Sequence, residues 1–493
     1  MLVFFIILSL GTAFLIALFG KKSKIFCDFL TVAACFLLCI GSIFAVFILR
    51  NSGTIVYAMG GWFPPLGICL VLDGFSAFML VTLNLVSFLI ALFSVGYMEQ
   101  YTDKYKFYCL FMLMVSGMNG VILTGDIFNL FVFLEIASVA SYALVAFGVE
   151  AEELEASFKY AVMGSVASSF ILLGIGFLYA YTSTLNMADL AQIVSQKESF
   201  TLIMFVSVLF IAGFGIKSAL VPFHAWLPDA HPSAPASISA MLSGILIKVL
   251  GIYSLSRILF NVFGVTEFTL NILMALGALS LLVGVFLAIG QWDLKRLLAY
   301  HSISQIGYVV LGIGLGTPMG ILGGLFHLFN HSLFKSLLFL NSGAVEYATN
   351  TRDLKKMGGL RERMPFTATT SWIASMSISG IPPFNGFWSK LIIIVACIQV
   401  NRIGLAFIAV IGSILTLASF MKVQKFAFFG TLNAALVKVK EVPLVMRFSM
   451  AALAFLCLVG GVLVLPQLLH SFLQPAVDAL IAGQKYSLAI LGK

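Results

Sequence analysis

The sequence predicts an all-α polytopic membrane protein of about fourteen spans, from its composition, its recurring apolar runs and its uneven Lys and Arg. Of 493 residues, 61% are hydrophobic and only 10% are charged, where ordinary soluble domains carry roughly 25% charge. Runs of about twenty apolar residues, each able to cross ~30 Å of hydrocarbon at 1.5 Å per residue, recur from the first residues to the last fifty. No soluble block interrupts them, so the chain reads as one membrane domain.

The spans fall at about 2–19, 25–49, 68–95, 105–123, 127–148, 157–182, 201–226, 232–260, 267–290, 295–314, 318–345, 365–398, 403–429 and 446–466. The first has no basic residue ahead of its apolar run and no small-residue cleavage site, which predicts a retained helix. Loops after odd-numbered spans collect eighteen of the 28 Lys and Arg, Lys104 and Lys295 among them, while six, including Arg50, Lys197, Arg257 and Lys493, fall on the other side. By the positive-inside rule both termini are expected outside. The same distribution accounts for the net charge of +8 through membrane topology, with no nucleic-acid partner. The seven cysteines show no CxxC spacing and read as packing residues, with no zinc or iron–sulfur site.

Four lysines fit neither side, because they lie within spans: Lys217, Lys248, Lys335 and Lys390. Glu135, in the middle of NLFVFLEIASVASYALV, is the clearest carboxylate inside the membrane, whereas Asp73, Asp126 and Glu346 stand closer to span ends. A charge at the bilayer centre costs about 2.5 kcal/mol even on insertion scales. Burial disfavours a charged form and a nearby opposite charge favours it, so a group caught between the two changes protonation when its partner moves. Five such groups in separate spans point to a proton relay. The alternative is a membrane scaffold in which Glu135 and a lysine form a static ion pair.

Two stretches predict broken helices. FGIKSALVPFHAWLPDAHPSAPASISA sets Lys217 five residues before Pro222, with His224 inside the break as a secondary candidate, and SISGIPPFNGFWSKL sets Pro382, Pro383 and Gly386 before Lys390. Proline removes an amide donor and clashes with the preceding turn, and the carbonyls so freed can hydrate or bind cations. Two breaks in different halves suggest an internal repeat. In FHLFNHSLFKSLLFLNSGAVE, His327, His331 and Lys335 follow at intervals of four on one helical face. HxxxH is also a metal-ligand spacing, but a lysine on the same face opposes a cation, and a file of titratable groups is the better reading. His301, in DLKRLLAYHSISQIGY, lies deeper than the basic loop before it and is a further candidate extension of that file.

WDLKRLLAYHSISQIGY, FHLFNHSLFKSLLFL, the break around Lys217 and GIPPFNGFWSK together resemble the antiporter-like subunits shared by Mrp-type cation/proton antiporters, respiratory complex I and membrane-bound hydrogenases, from about Asp73 to Lys425. The resemblance implies fourteen helices, with spans 4–8 and 9–13 as inverted five-helix repeats and spans 7 and 12 broken. It divides the chain into residues 1–104, 105–260, 261–430 and 431–493. It implies that Glu135 pairs with Lys217, that Lys248 is a connecting lysine, that His327, His331 and Lys335 form part of a central hydrophilic axis, and that Lys390 ends it. A lysine at this last position is similar to the D-type member of Mrp antiporters and unlike the complex I member with glutamate there. The function so implied is proton translocation within a multi-subunit Na+/H+ antiporter of the cell membrane, with other membrane subunits as partners and no cofactor. The alternative is the same module in a redox-driven pump whose cysteine-rich centres belong to partner chains.

Overall fold

Long apolar segments that lack a single polar stripe bury themselves against other helices or lipid, and the computed structural model of the chain is helical nearly throughout. It describes residues 1–196 and 200–492, so the expectations placed on Lys197 and Lys493 lie outside the described residues. The chain opens with α1 (Leu2–Phe19), α2 (Lys24–Ser52), α3 (Gly74–Tyr97), α4 (Lys104–Leu123), α5 (Ile127–Val145) and α6 (Ala151–Thr182). Between α2 and α3, β1 (Ile55–Ala58) pairs antiparallel with β2 (Cys69–Leu72), with Ile55 opposite Leu72 and Ala58 opposite Cys69. Next come the short α7 (Met187–Gln196), α8 (Phe200–Lys217), α9 (Leu227–Ser233) and α10 (Ala236–Phe263). The second half holds α11 (Glu267–Ile289), α12 (Leu294–Gly314), α13 (Pro318–Thr349), α14 (Pro365–Ser379), α15 (Asn385–Gln399), α16 (Ile403–Val423) and α17 (Leu444–Val459).

Twelve helices among the described residues are long and apolar enough to cross a membrane, against the expected fourteen. The difference has a physical reason. α13 has 32 residues, but His327, His331, Lys335 and their polar neighbours make it too polar for that group. α14 and α15 have 15 residues each, so neither alone reaches across.

Both predicted breaks are present. α8 stops at Lys217, where Ala219 turns left-handed (φ +55°) and the Leu220 amide bonds back to Gly215. Pro222 offers no amide, the Val221 amide bonds Ser280 Oγ of α11 at 2.9 Å, and Trp226 Nε1 covers the freed Ile216 carbonyl at 3.0 Å. The second break opens after Ser379, where Gly380 takes φ +79°, a conformation that L residues with a side chain rarely adopt. The sequence patterns had not indicated the π-helical turns at Leu242–Leu246, Lys248–Tyr253 and Arg257–Phe263, which widen α10 around its lysine.

Burial is graded inward. α10 is buried along its whole length and α12 nearly so, whereas α1, α2 and α16 turn most of their residues outward. The centre of the bundle is therefore the part richest in titratable groups, and the lipid-facing rim the part poorest in them. Three cations expected in loops are instead buried and paired. Lys104 bonds Asp28 and Glu99, Lys295 bonds Glu346, and Arg257 sits within α10 against Asp73. Each pairing removes the reason for keeping that cation in water.

Candidate functional site

One face of α5 presents Glu135, Ser138 and Tyr142 at intervals of three and four, toward the broken end of α8. Lys217 Nζ lies 3.5 Å from Glu135 Oε1 and donates to Ser138 Oγ at 3.0 Å and to Tyr142 Oη at 3.4 Å. Ser168 of α6 donates to the same carboxylate at 2.5 Å. Because α8 ends at Lys217, the ammonium sits at the negative pole of its own helix. Tyr142 meets Tyr160 edge-on, and Tyr160 stacks on Trp226 at 4.2 Å, which ties the pair to the break. The Lys217 side chain is 3% exposed and that of Glu135 32%, so the carboxylate stands at the rim of the bundle.

Deeper in, Lys248 donates to the carbonyls of Ser243 (2.6 Å) and Gly244 (2.5 Å), on the turn of α10 that its π geometry opens. Ser243 Oγ in turn meets Ser302 Oγ of α12 at 2.7 Å. Lys335 of α13 donates to the Leu298 carbonyl of α12 and lies over the ring of Phe339. One and two turns back along α13, the His331 and His327 rings lie nearly parallel, 6.3 Å apart. His327 Nε2 meets Gln305 Oε1 at 3.1 Å and its Nδ1 meets Ser389 Oγ at 2.9 Å, while neither nitrogen of His331 has a partner among the described residues. Lys390, next to Ser389, donates to the Ile378 carbonyl at 2.8 Å and lies 4.7 Å from the centre of the Tyr308 ring. Tyr308 itself packs 5.3 Å from His327.

These contacts make an almost continuous buried file, from Lys248 through Lys335, His331 and His327 to Lys390, with Glu135 and Lys217 beside it. Of its four lysines, Lys217 alone is ion-paired among the described residues, and the other three donate only to backbone carbonyls. Like charges enclosed together disfavour being charged at the same time, so protonating one member is felt by the next.

Three secondary candidates are placed differently. His301 meets Ser419 Oγ of α16 at 2.8 Å and packs on Phe420, facing away from the file. His224 is half-buried in the loop of the first break and has no partner for its Nδ1 among the described residues. Asp73 caps α3 and grips Arg257 with both oxygens, at 2.6 and 2.8 Å, while Asn261, Tyr253, Phe75 and Tyr486 enclose the guanidinium. That is a satisfied clamp with no bond to the file. Ser138, Tyr142, Ser168, Gln305 and Tyr308 were missed as site residues, although Ser138 and Tyr142 follow Glu135 at helical spacing.

The family model described as "NADH:quinone oxidoreductase/Mrp antiporter, TM" matches residues 124–416, and one described as "NADH-Ubiquinone oxidoreductase (complex I), chain 5 N-terminus" matches residues 64–108. The chain belongs to the NADH:quinone oxidoreductase/Mrp antiporter membrane-subunit family. Within this family it is 37% identical over 390 residues to the D subunit of the Na(+)/H(+) antiporter of Alkalihalophilus pseudofirmus, which covers 79% of each protein. It is 36% identical over 377 residues to the N subunit of the NADH-quinone oxidoreductase of Desulforudis audaxviator, covering 76% of this chain and 75% of that one. Among solved structures, a chain of the Mrp complex from Dietzia sp. DQ12-45-1b superposes with a TM-score of 0.92 at 29% identity, over 100% of this chain and 99% of that one. A chain of the archaeal membrane-bound sulfane sulfur reductase superposes with a TM-score of 0.90 at 31% identity, over 99% of both.

Proposed function

We propose that this family member is the D-type, proton-translocating subunit of a multi-subunit cation/proton antiporter, and that Glu135, Lys217, Lys248, Lys335, His331, His327 and Lys390 pass the proton. The observation that carries the reading is the buried file itself, which places titratable side chains in succession through the least lipid-exposed part of the bundle. Kinship with chains named as the D subunits of Na(+)/H(+) antiporters supports it. When Lys217 and Glu135 draw together, each stabilises the other's charge, and when they separate Lys217 passes its proton toward Lys248. The proton then moves along Lys335 and the two histidines to Lys390. The protein transports and catalyses no covalent chemistry of its own. Its place is the plasma membrane, with both termini outside, as the eighteen-to-six distribution of Lys and Arg favours.

The one-third exposure of Glu135 favours a neighbouring subunit against α5, because a carboxylate facing lipid at mid-membrane is costly. Lys217→Ala in the assembled complex tests the reading by cation-dependent proton exchange in everted vesicles. Loss of exchange with assembly intact supports it, and full exchange refutes it. A second reading, the same module in a redox-driven pump, draws on the likeness to the N subunit of the quinone oxidoreductase and to the sulfane sulfur reductase chain. Co-purifying iron–sulfur subunits would select that reading.

A further inference from the structure

α9, between the first break and α10, has two sides with different surroundings. Asp229 and Ser233 line a cavity of about 270 Å3 together with Glu152, Asp293 and Arg352, on the Lys- and Arg-rich side of the membrane. A second cavity, of about 540 Å3, shares Glu152, Ser233 and Arg352 with the first and reaches Glu346. The two form one charged vestibule.

His231 points away from it, into the bundle. Its ring is 0% exposed and lies against Phe339 of α13, with 4.7 Å between ring centres. Neither ring nitrogen has a hydrogen-bond partner among the described residues. The same Phe339 ring carries Lys335 Nζ, 5.2 Å from its centre. Toward the vestibule, Lys295 Nζ donates to the carbonyl of Ala234, three residues after His231, at 3.1 Å and pairs with Glu346 at 2.7 Å. The cations whose fields reach the ring are Lys335, Lys295 and Lys248. Along α13, Phe339 lies about two turns, ~10 Å, inward of Glu346, and Lys335 one turn further.

A buried ring packed only for bulk would be better served by phenylalanine, since each unsatisfied buried polar atom costs about 1–3 kcal/mol. An imidazole with both nitrogens free, between an ion pair at a polar mouth and a buried lysine, is built to accept a proton on one side and release one on the other.

We propose that His231 carries protons between the Lys295–Glu346 pair and Lys335, which makes the vestibule the mouth of the central file. The proposal rests on the proton-file reading given above. The neutral ring accepts a proton from the vestibule side on one nitrogen and becomes imidazolium. It then gives the proton on its other nitrogen to the neutral amine of Lys335, which becomes the ammonium, and the ring is neutral again in its other tautomer.

The test uses the complete complex in everted membrane vesicles, with Lys217→Ala as the control and assembly followed on native gels. His231→Gln should assemble as the parent does and lower cation-dependent proton exchange at least tenfold. In His231→Ala, added imidazole should restore part of the exchange, whereas pyrazole, of the same size but not basic near neutrality, should not. Parental exchange by His231→Gln while Lys217→Ala is inactive would overturn the role of His231 and leave the file intact. Full exchange by Lys217→Ala would overturn the file, and this proposal with it. Equal rescue by pyrazole, or failure of His231→Gln and His231→Asn alike to assemble, would make His231 a packing residue and overturn the proposal too.

Discussion

Lys217 Nζ stands 3.5 Å from Glu135 Oε1 and 3.0 Å from Ser138 Oγ, so the ammonium makes its shorter bond to the hydroxyl and keeps the carboxylate at the edge of contact. The pair is attractive without being locked. Glu135→Gln and Lys217→Ala should each reduce cation-dependent proton exchange at least tenfold, and the double variant should be no worse than either alone, as expected of two groups that act as a unit. Initial rates of dye-reported proton movement in vesicles, normalised to assembled complex, measure this. Additive losses would mean that the two residues act separately.

Lys390 donates to the Ile378 carbonyl beside the second break. Arginine could keep that bond and that charge, but it does not release its proton near neutral pH. Lys390→Arg should therefore assemble normally and exchange protons no better than Lys390→Ala. If the arginine variant ran at the parental rate, Lys390 would serve as a fixed charge and not as a carrier.

Gly380 holds φ +79°, and a Cβ placed there would come within 3.0 Å of Lys390 Cδ. Gly380→Ala should strain the turn by roughly 1–2 kcal/mol and displace the lysine. The expected outcome is slower exchange with a modest fall in melting temperature of the purified complex, although position 380 carries no proton.

The Asp73–Arg257 clamp makes the opposite forecast. Arg257→Leu leaves a buried carboxylate without its partner, which costs about 3–5 kcal/mol. Melting temperature and yield should fall sharply, while the assembled fraction exchanges protons at the parental rate. A stable but inactive variant would return Asp73 to the transport path.

The sequence made the file legible because lysine inside an apolar run is conspicuous: Lys217, Lys248, Lys335 and Lys390 could be singled out with no structure at all, and prolines beside two of them marked the breaks. It was silent where a polar residue does ordinary work. Ser138, Ser168 and Tyr142 look like any residues on a membrane helix, and only the approach of α6 and α8 to α5 brings them to the charge pair. Loop positions misled for Lys104, Lys295 and Arg257, because a cation near a span end is equally consistent with water and with a buried acid from a distant element such as Asp28 or Asp73. The π turns of α10 depend on tertiary packing and leave no local signature.

Glu135 keeps about a third of its side chain uncovered on the flank of the bundle. A copy of this chain made in excess of its neighbours would present that carboxylate to the acyl chains and behave as an orphan, marked by its own active residue for removal by the membrane's quality-control proteases. The group that would move the proton would thereby also set the stoichiometry at which the cell can keep the protein.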